Sequence, residues 1–399
     1  MKLAIPKERR AHERRVAATP DTVRKLVAMR LEVVVESGAG LASAITDEAY
    51  RAAGALVAAD EAQTLANADI VLKVQRPLSS AEGLDEFGMI QPGAMLIAML
   101  SPYQFPDAIR EFARRKVDAF AMELVPRITR AQSMDVLSSQ ANLAGYRAVL
   151  DAAYEFGRAF PMMMTAAGTV PPARVFVMGT GVAGLQAVAT ARRLGGVVSA
   201  TDVRPAAREQ VQSLGASFVM VESEEVKLAE TAGGYAKEMS EEYQRAQARL
   251  ISETVRKQDI VICTALIPGR RAPVLLSAEM VETMKPGSVI VDLAVEQGGN
   301  CPLSRPGEIV EHSGVKIIGH WNVPSRIAVD ASALYARNLL SFLTPLIDRE
   351  SHALRIDWAD QIVVDTALTR DGRIIHSQFT SADPTPLEAA AGITPGIAP

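Results

Sequence analysis

The sequence predicts an α/β fold with two doubly wound domains, each built on a parallel sheet and separated by a cleft. Three observations support this prediction. Short apolar runs of strand length alternate with helical patterns along most of the chain. A glycine-rich turn joins a strand to a helix in the second half. The 399 residues are enough for two or three domains with ample cores.

Composition and charge exclude several classes of function. The chain is 48% hydrophobic and 22% charged, as is usual for a soluble globular protein, and its formal net charge is −4. That charge gives no reason to expect nucleic acid or an anionic membrane as a partner. Cys263 and Cys301 lack metal-ligand spacing and fit a reducing compartment, so no metal site is predicted. No run approaches the roughly 18 apolar residues of a membrane-spanning helix, so we expect no direct membrane insertion.

The first half of the chain predicts one α/β domain. A basic loop at residues 7–15 follows its first strand. Helices are expected at residues 19–29, 47–53 and 106–116. Strands are expected at residues 2–5, 32–36, 68–73, 93–99 and 118–122. Because these strands alternate with helices, the sheet should be parallel and covered on both faces.

The second half repeats the alternation after a loop at residues 127–139 and a helix at 140–160, which a flexible stretch at 161–172 follows. Further helices are expected at residues 206–214, 241–256 and 277–284. Strands are expected at residues 175–178, 197–200, 217–221, 259–263, 288–293 and 315–318. The polar segment 222–242 interrupts this rhythm and is predicted to be a mobile surface loop.

The C-terminal region is predicted to complete the first domain. A helix at residues 331–347 returns to it, and a hairpin follows with strands at 362–364 and 373–375. Two short strands need something to pack on, either their own domain or a second copy of the chain. The predicted domains are therefore residues 1–138 with 328–380, and residues 139–327. The Pro/Ala/Gly-rich residues 381–399 form a flexible tail.

The glycine-rich turn is the clearest functional signal. It follows the strand at 175–178 and opens a helix, in the spacing of a dinucleotide-binding, Rossmann-like unit. Gly179 makes the tight turn, Gly181 lets a pyrophosphate approach the backbone, and Gly184 lets helix and strand pack closely. The helix N-terminus offers free N–H groups to the phosphates. The alternative is a glycine-rich turn in a sheet that binds nothing.

Two further residues lie at the ends of neighbouring predicted strands. Asp202 follows the strand at 197–200 and can accept both ribose hydroxyls of an adenosine, while its charge disfavours a 2′-phosphate. We therefore expect NAD to be preferred over NADP. Thr264 follows the strand at 259–263, at the carboxyl edge where ligands bind in such folds. Its alternative role is that of a helix or turn cap.

Several motifs resemble the alanine dehydrogenase and NAD(P) transhydrogenase superfamily. Besides the glycine turn they are Ile5-Pro-Lys-Glu, Arg15-Val-Ala, Thr19-Pro, Val71-Leu-Lys-Val and Val291-Asp-Leu-Ala-Val-Glu-Gln-Gly-Gly. The loop at 127–135, with residues 140–147 behind it, resembles the Arg-Gln-Asp loop of the NAD(H)-binding (alpha, domain I) component of proton-translocating transhydrogenase. The segment at 234–239 resembles the mobile lid of that component. Membrane-spanning segments are absent, as in the split-subunit form.

The same resemblance argues against alanine dehydrogenase. Arg15 and Lys73 match its substrate-binding pattern, but Ser101 stands where its catalytic His is expected and Glu296 where an Asp is expected. A serine cannot exchange a proton with substrate near neutral pH. Arg15 and Lys73 are then either structural ion-pair partners or remnants of a pocket.

The resemblance also implies roles for individual residues. Gln132 contacts the nicotinamide side of NAD(H), Arg127 and Asp135 hold the loop, and Ser138 bonds the carboxamide. An Arg127–Asp135 ion pair fixing a domain junction is the alternative. Tyr235 in the lid is the last catalytic candidate, or else a surface aromatic. The remaining implied nucleotide contacts are Val182, Val203, Arg204, Gly234, Ala265 and Leu266.

The implied reaction is direct hydride transfer from NADH to NADP⁺ bound on a partner component, coupled to proton movement through a membrane partner. It needs no side-chain acid or base, because the cofactors carry the chemistry. The implied assembly is a homodimer bound to NADP(H)-binding and membrane-spanning transhydrogenase subunits, in the cytoplasm at the inner membrane. Docking is expected at the cleft beside residues 127–135. A soluble alanine dehydrogenase-like amino-acid dehydrogenase and a non-catalytic NAD(H)-binding regulatory module are the alternatives.

Overall fold

The computed structural model describes residues 1–222, 240–267 and 269–380. They divide into two compact units, one of Met1–Gln140 with the chain from Pro324 onward and one of Ala141–Val323. The core of the predicted lid, with Gly234 and Tyr235, and the predicted tail lie outside the described residues.

The first unit is built on a parallel sheet. In the described region of the chain this sheet has six strands, in the order β3-β2-β1-β4-β5-β6. The strands are β1 (Lys2–Ile5), β2 (Glu32–Glu36), β3 (Leu56–Ala58), β4 (Ile70–Gln75), β5 (Met95–Met99) and β6 (Asp118–Ala121). The helices between them are α1 (Pro20–Ala28), α2 (Asp47–Ala52), α3 (Glu61–Leu65), α4 (Glu86–Met89) and α5 (Pro106–Arg114). Proline at the first helical position begins both α1 and α5, where its missing N–H costs no hydrogen bond.

Both faces of this sheet are buried, as the near-continuous apolar strands require. Leu3 and Ile5 belong to one core cluster, while Ala4 between them belongs to another on the opposite face. The predicted α/β class with a parallel sheet is confirmed for this unit.

The second unit begins at Ala141, within α6 (Val136–Glu155), and holds a second, mostly parallel sheet. Its order in the described residues is β11-β10-β9-β12-β13-β15-β14, with β14 antiparallel to β15. The strands are β9 (Arg174–Met178), β10 (Val197–Thr201), β11 (Ser217–Phe218), β12 (Ile260–Cys263), β13 (Val289–Asp292), β14 (Ile309–His312) and β15 (Val315–Ile318). The helices are α7 (Val182–Arg193), α8 (Ala207–Ser213), α9 (Glu241–Val255) and α10 (Ala278–Glu282). The strand order reverses direction between β9 and β12, which is the position where doubly wound sheets bind ligands.

The stretch predicted to be flexible, residues 161–172, contains a small antiparallel hairpin. Its strands are β7 (Met163–Thr165) and β8 (Gly168–Val170). Every residue from Pro161 to Thr169 is exposed, and residues 159–173 carry no charged side chain. The hairpin is therefore an uncharged surface of the second unit.

The C-terminal elements return to the first unit, but one prediction there is wrong. α11 (Ala328–Leu343) is followed by a helix, α12 (Gln361–Thr366), where we expected a strand at 362–364. The β-branched residues favour a strand, but the Asp360 carboxylate accepts the N–H of Ile362 at 2.7 Å and caps a helix instead. The hairpin around Asp371 is shorter, with β16 (Thr369–Arg370) and β17 (Arg373–Ile374).

This hairpin packs on its own unit. The Leu368 N–H donates to the Ala119 carbonyl at 2.8 Å, and the Thr369 hydroxyl donates to the Val117 carbonyl at 2.7 Å. Of the two alternatives, packing on its own domain is therefore correct. The hairpin gives no support to a dimer. Among the described helices, none is both long and apolar enough to cross a membrane.

Candidate functional site

The glycine turn after β9 has the geometry that its three glycines require. Gly179 has a φ of +94°, and a Cβ added to Gly184 would lie 1.9 Å from the Gly179 carbonyl oxygen. These two positions are glycines for conformational and packing reasons. Gly181 differs, because its φ of −70° suits any residue and a Cβ there would meet nothing within 4 Å. The protein itself does not require glycine at 181, whereas a ligand approaching the backbone would.

The N-terminus of α7 lies directly behind this turn. Gly181 is its N-cap residue and provides no side chain to bond the first-turn N–H groups. Such a terminus offers donors and a partial positive charge to an anion. A glycine that the sequence pattern did not single out supports this geometry: a Cβ on Gly145 of α6 would lie 2.0 Å from the Ala183 carbonyl oxygen. A glycine inside a long helix costs about 1 kcal/mol, and that cost was the available signal.

Asp202 lies directly after β10 and faces the glycine turn. Its Oδ2 accepts the Thr180 N–H at 2.7 Å and the Thr180 hydroxyl at 2.9 Å. The Arg204 guanidinium donates to both carboxylate oxygens, at 2.9 and 3.0 Å. Burial alone would raise the pKa of Asp202, but the hydrogen bonds from Arg204 and Thr180 hold it below its ordinary value. The carboxylate is therefore ionised near neutral pH.

Thr264 connects the end of β12 to the same turn. Its hydroxyl donates to the Gly179 carbonyl at 3.0 Å, so it caps the turn, as one of its alternative roles predicts, and does not cap a helix. The next residue is fixed by Asn300, a fully buried side chain that the sequence pattern did not single out. Asn300 accepts the Ala265 N–H at 3.1 Å and donates to the Ala265 carbonyl at 2.9 Å. The only sequence signal for it was its place directly after the Gly298-Gly299 pair.

Large apolar side chains are exposed around this polar turn. Val182, Val203 and Leu266 all follow strands or begin the helix at the carboxyl edge of the sheet, and they are 40, 75 and 46% exposed. Apolar walls with a few placed polar groups are typical of small-molecule sites. The structure thus brings together, within the second unit, the predicted residues at the ends of β9, β10 and β12.

The loop at 127–135 belongs to the first unit, and most of it is a 3-10 helix, Thr129–Met134. Ala131 and Met134 are buried in the core, and Asn338 of α11 donates to the Ser133 carbonyl at 2.8 Å. Gln132 between them is exposed. The loop is therefore a fixed platform that presents Gln132 to its surroundings.

Asp135 acts as a helix cap. Its Oδ1 accepts the Ser138 N–H at 2.9 Å, and its Oδ2 accepts the Ser138 hydroxyl at 2.5 Å. This cap explains why α6 begins at Val136 rather than at the predicted residue 140. Ser138 therefore lies in the first turn of a helix, not in a loop.

The ion pair that anchors the loop is not the one we considered. Arg127 is exposed, and the described contacts contain no ion pair between it and Asp135. Arg130 instead bonds both oxygens of Asp360, at 2.8 and 2.7 Å. The alternative of an Arg127–Asp135 pair is wrong.

Arg15 and Lys73 are both buried in ion pairs. Arg15 bonds Glu13 at 2.6 Å, and Lys73 lies 3.1 Å from Glu86 and 3.5 Å from Glu8. Their side chains are only 4 and 2% exposed. This geometry supports the structural interpretation of the two residues over that of a pocket remnant.

Comparisons with known proteins agree with this geometry. A family model described as "Alanine dehydrogenase/PNT, N-terminal domain" matches residues 4–144, and its C-terminal counterpart matches residues 148–377. The chain is 60% identical over 380 residues to the first part of the NAD(P) transhydrogenase subunit alpha of Rhodospirillum rubrum, covering 95% of this chain and 99% of that one. It is 44% identical over 376 residues to its Rickettsia prowazekii counterpart, covering 94 and 96%. A transhydrogenase structure from Sinorhizobium meliloti superposes with a TM-score of 0.85 at 53% identity, covering 94% of this chain and 100% of that one.

Proposed function

This chain belongs to the alanine dehydrogenase/PNT family, and from that premise we propose that it is the NAD(H)-binding component of a proton-translocating transhydrogenase. The observation that carries the proposal is the open backbone at Gly181 between the α7 N-terminus and the Asp202 carboxylate. A pyrophosphate and an adenosine ribose need those two features side by side.

The second unit holds NAD(H) at the carboxyl edge of its sheet. The backbone from Gly179 to Gly184 cradles the pyrophosphate, and the α7 N-terminus stabilises its charge. Asp202 accepts the ribose hydroxyls, which fits the preference for NAD over NADP. The apolar regions of the nucleotide pack on the side chains of Val182, Val203 and Leu266. The remaining contacts come from Arg204, Gly234 and Ala265.

The first unit contributes orientation rather than acid–base chemistry. NADH, when bound, supplies the hydride that NADP⁺ on the partner component accepts. Gln132, on its fixed platform, positions the nicotinamide side of NAD(H), because transfer needs the two rings within about 3.5 Å. The Ser138 hydroxyl donates to Asp135, so its oxygen remains an acceptor for the carboxamide N–H. Arg127 is exposed and completes the loop. Tyr235, the last catalytic candidate, lies outside the described residues.

Ser101 supports a reaction without a side-chain base. It stands where an alanine dehydrogenase would carry its histidine, and its N–H donates to the Glu123 carboxylate. Burial raises the pKa of Glu123 to about 6, and that carboxylate is committed to the backbone of Leu100 and Ser101. Ser101 itself offers no proton-exchanging group to an amino-acid substrate.

The assembly we propose is a homodimer that docks, through the surface around residues 127–135, on a separate NADP(H)-binding component. Membrane-spanning transhydrogenase subunits carry the proton movement, so the chain works in the cytoplasm at the inner membrane. The β7–β8 hairpin supports the dimer. It exposes Met162, Met163 and Met164, and it carries no charge that would oppose a second copy of itself.

The test is reconstitution of the chain with a transhydrogenase NADP(H)-binding component. We expect NADPH to reduce an NAD analogue only when both proteins are present. Tight NADH binding without any hydride exchange would contradict the proposal and favour a regulatory module. Reductive amination of pyruvate by the chain alone would favour an amino-acid dehydrogenase.

A further inference from the structure

The Asp202 carboxylate already accepts so many hydrogen bonds within the protein that ribose hydroxyls find no free lone pair. Oδ1 accepts the backbone N–H of Arg204 and the Nε–H of its guanidinium, both at 2.9 Å. Oδ2 accepts the Thr180 N–H and hydroxyl, at 2.7 and 2.9 Å, and an Arg204 Nη2–H at 3.0 Å. A carboxylate has about four lone-pair sites, so these donors occupy its capacity. Ribose hydroxyls can bond Asp202 only where one of them gives way.

The Arg204 guanidinium is the donor that can move. Thr180 lies within the glycine turn, and its side chain belongs to a residue only 1% exposed. The Arg204 backbone N–H is held beside the Asp202 carboxylate by the short chain between the two residues. The Arg204 side chain, in contrast, is 47% exposed and bonds Asp202 through rotatable bonds alone.

No neighbouring cation duplicates this guanidinium in the described contacts of Asp202. Arg208 on α8 is the next basic residue, and it lies 3.5 Å from Glu222 and 5.9 Å from the centre of the Phe218 ring. The charge beside the ribose position is therefore set by one carboxylate and one guanidinium, which cancel.

We propose that Arg204 is a specificity-determining residue: it leaves Asp202 when a ribose binds and meets a 2′-phosphate when the nucleotide carries one. This inference rests on the proposed NAD(H) site. Asp202 alone would strongly repel a 2′-phosphate, whereas the pair repels it less, because a guanidinium pairs well with phosphate oxygens. The preference for NADH over NADPH is thus a balance between two side chains rather than a property of Asp202.

The test is fluorescence titration of NADH and NADPH on a set of variants, which measures binding and not activity. Arg204→Ala should raise the ratio of the NADPH dissociation constant to that of NADH by about tenfold, as expected from the loss of one charge-assisted contact. Arg204→Lys keeps the charge but loses the planar, two-point contact, so its ratio should lie between those of the unmodified chain and Arg204→Ala. Arg208→Ala is the matched control and should not change it.

Asp202→Ala frees Arg204, so NADPH should gain affinity while NADH loses it. The double variant Asp202→Ala/Arg204→Ala should lose that NADPH gain, which separates the guanidinium from simple removal of a negative charge. Circular dichroism checks that each variant is folded.

Different results would contradict the proposed NAD(H) site and the proposed role of Arg204. An unmodified chain that binds neither nucleotide contradicts the NAD(H) site and this inference with it. Normal NADH binding with an unchanged ratio in Arg204→Ala, or an NADPH gain that survives in the double variant, contradicts the inference alone.

Discussion

Replacing Gly181 and Gly184 separately by alanine distinguishes ligand binding from packing at one turn. In Gly184→Ala the new Cβ would lie 1.9 Å from the Gly179 carbonyl oxygen, far inside van der Waals contact, so α7 must move away from the turn. Overpacking of this kind costs about 1–3 kcal/mol. The better helix propensity of alanine returns at most about 1 kcal/mol. We expect Gly184→Ala to lower the free energy of unfolding by about 1–2 kcal/mol.

Gly181→Ala is the matched variant, because its Cβ would meet nothing within 4 Å and its φ of −70° is unstrained. Alanine caps a helix less well than glycine, so a stability loss below about 1 kcal/mol is expected. In the proposed site, the methyl group would stand where the pyrophosphate approaches the backbone. The NADH dissociation constant should therefore rise at least about tenfold, which corresponds to about 1.4 kcal/mol.

Both quantities are measured on the purified chain, stability by urea unfolding and affinity by NADH fluorescence. The informative result is a Gly181→Ala protein that is nearly as stable as the unmodified chain but binds NADH poorly. If it binds NADH as well as the unmodified chain does, the pyrophosphate does not lie against Gly181. If Gly184→Ala is fully stable, the close packing of α7 on the turn is wrong.

Three further predictions test other regions of the molecule. Gln132→Asn should slow single-turnover hydride transfer in the reconstituted complex at least about tenfold with little change in NADH affinity. The same substitution at another exposed glutamine, Gln104→Asn, should change neither quantity, and equal rates for Gln132→Asn and the unmodified chain would remove the positioning role. Met164→Glu in the exposed hairpin should shift sedimentation toward monomer, while Leu41→Glu, at another exposed apolar residue, should not; an unshifted dimer would place the interface elsewhere. Burial opposes ionisation of Glu13, but its buried arginine partner lowers its pKa from 4.5 to about 2. The ion pair's contribution to the free energy of unfolding is therefore complete above pH 4.5 and is lost as pH falls from 4.5 toward 2. Glu13→Gln should abolish that part of the pH dependence of the free energy of unfolding, measured by urea unfolding.

The sequence predicted those features of the nucleotide site that are local. The glycine spacing and the acid after the next strand are fixed by the turn itself, so Gly179, Gly184 and Asp202 could be assigned before the fold was known. Asn300 and Gly145 could not, because their roles depend on contacts with residues 35 and 38 positions away, at Ala265 and Ala183. Their local signals, a glycine inside a helix and an asparagine after a glycine pair, do not tell which distant residue each one contacts.

Competing local signals explain the errors in the first unit. The β-branched residues at 362–364 favour a strand, but the Asp360 carboxylate caps the first turn and stabilises a helix there. The same Asp360 is the partner of Arg130, whereas the sequence pattern pointed to Arg127. The spacing of residues in the sequence cannot predict an ion pair between residues 230 positions apart. Arg127 and Asp135, in contrast, are close in sequence without being paired.

Tracing the transferred hydrogen tests the central claim most directly. NADPH deuterated at the reactive C4 position is mixed with an NAD analogue, this chain and the NADP(H)-binding component, and the reduced analogue is examined by mass spectrometry. Direct transfer without a side-chain base predicts that the product carries the deuterium, with no hydrogen from solvent at C4. A reduced analogue that carries solvent hydrogen at C4, or no reduced analogue despite bound nucleotides, would contradict the account.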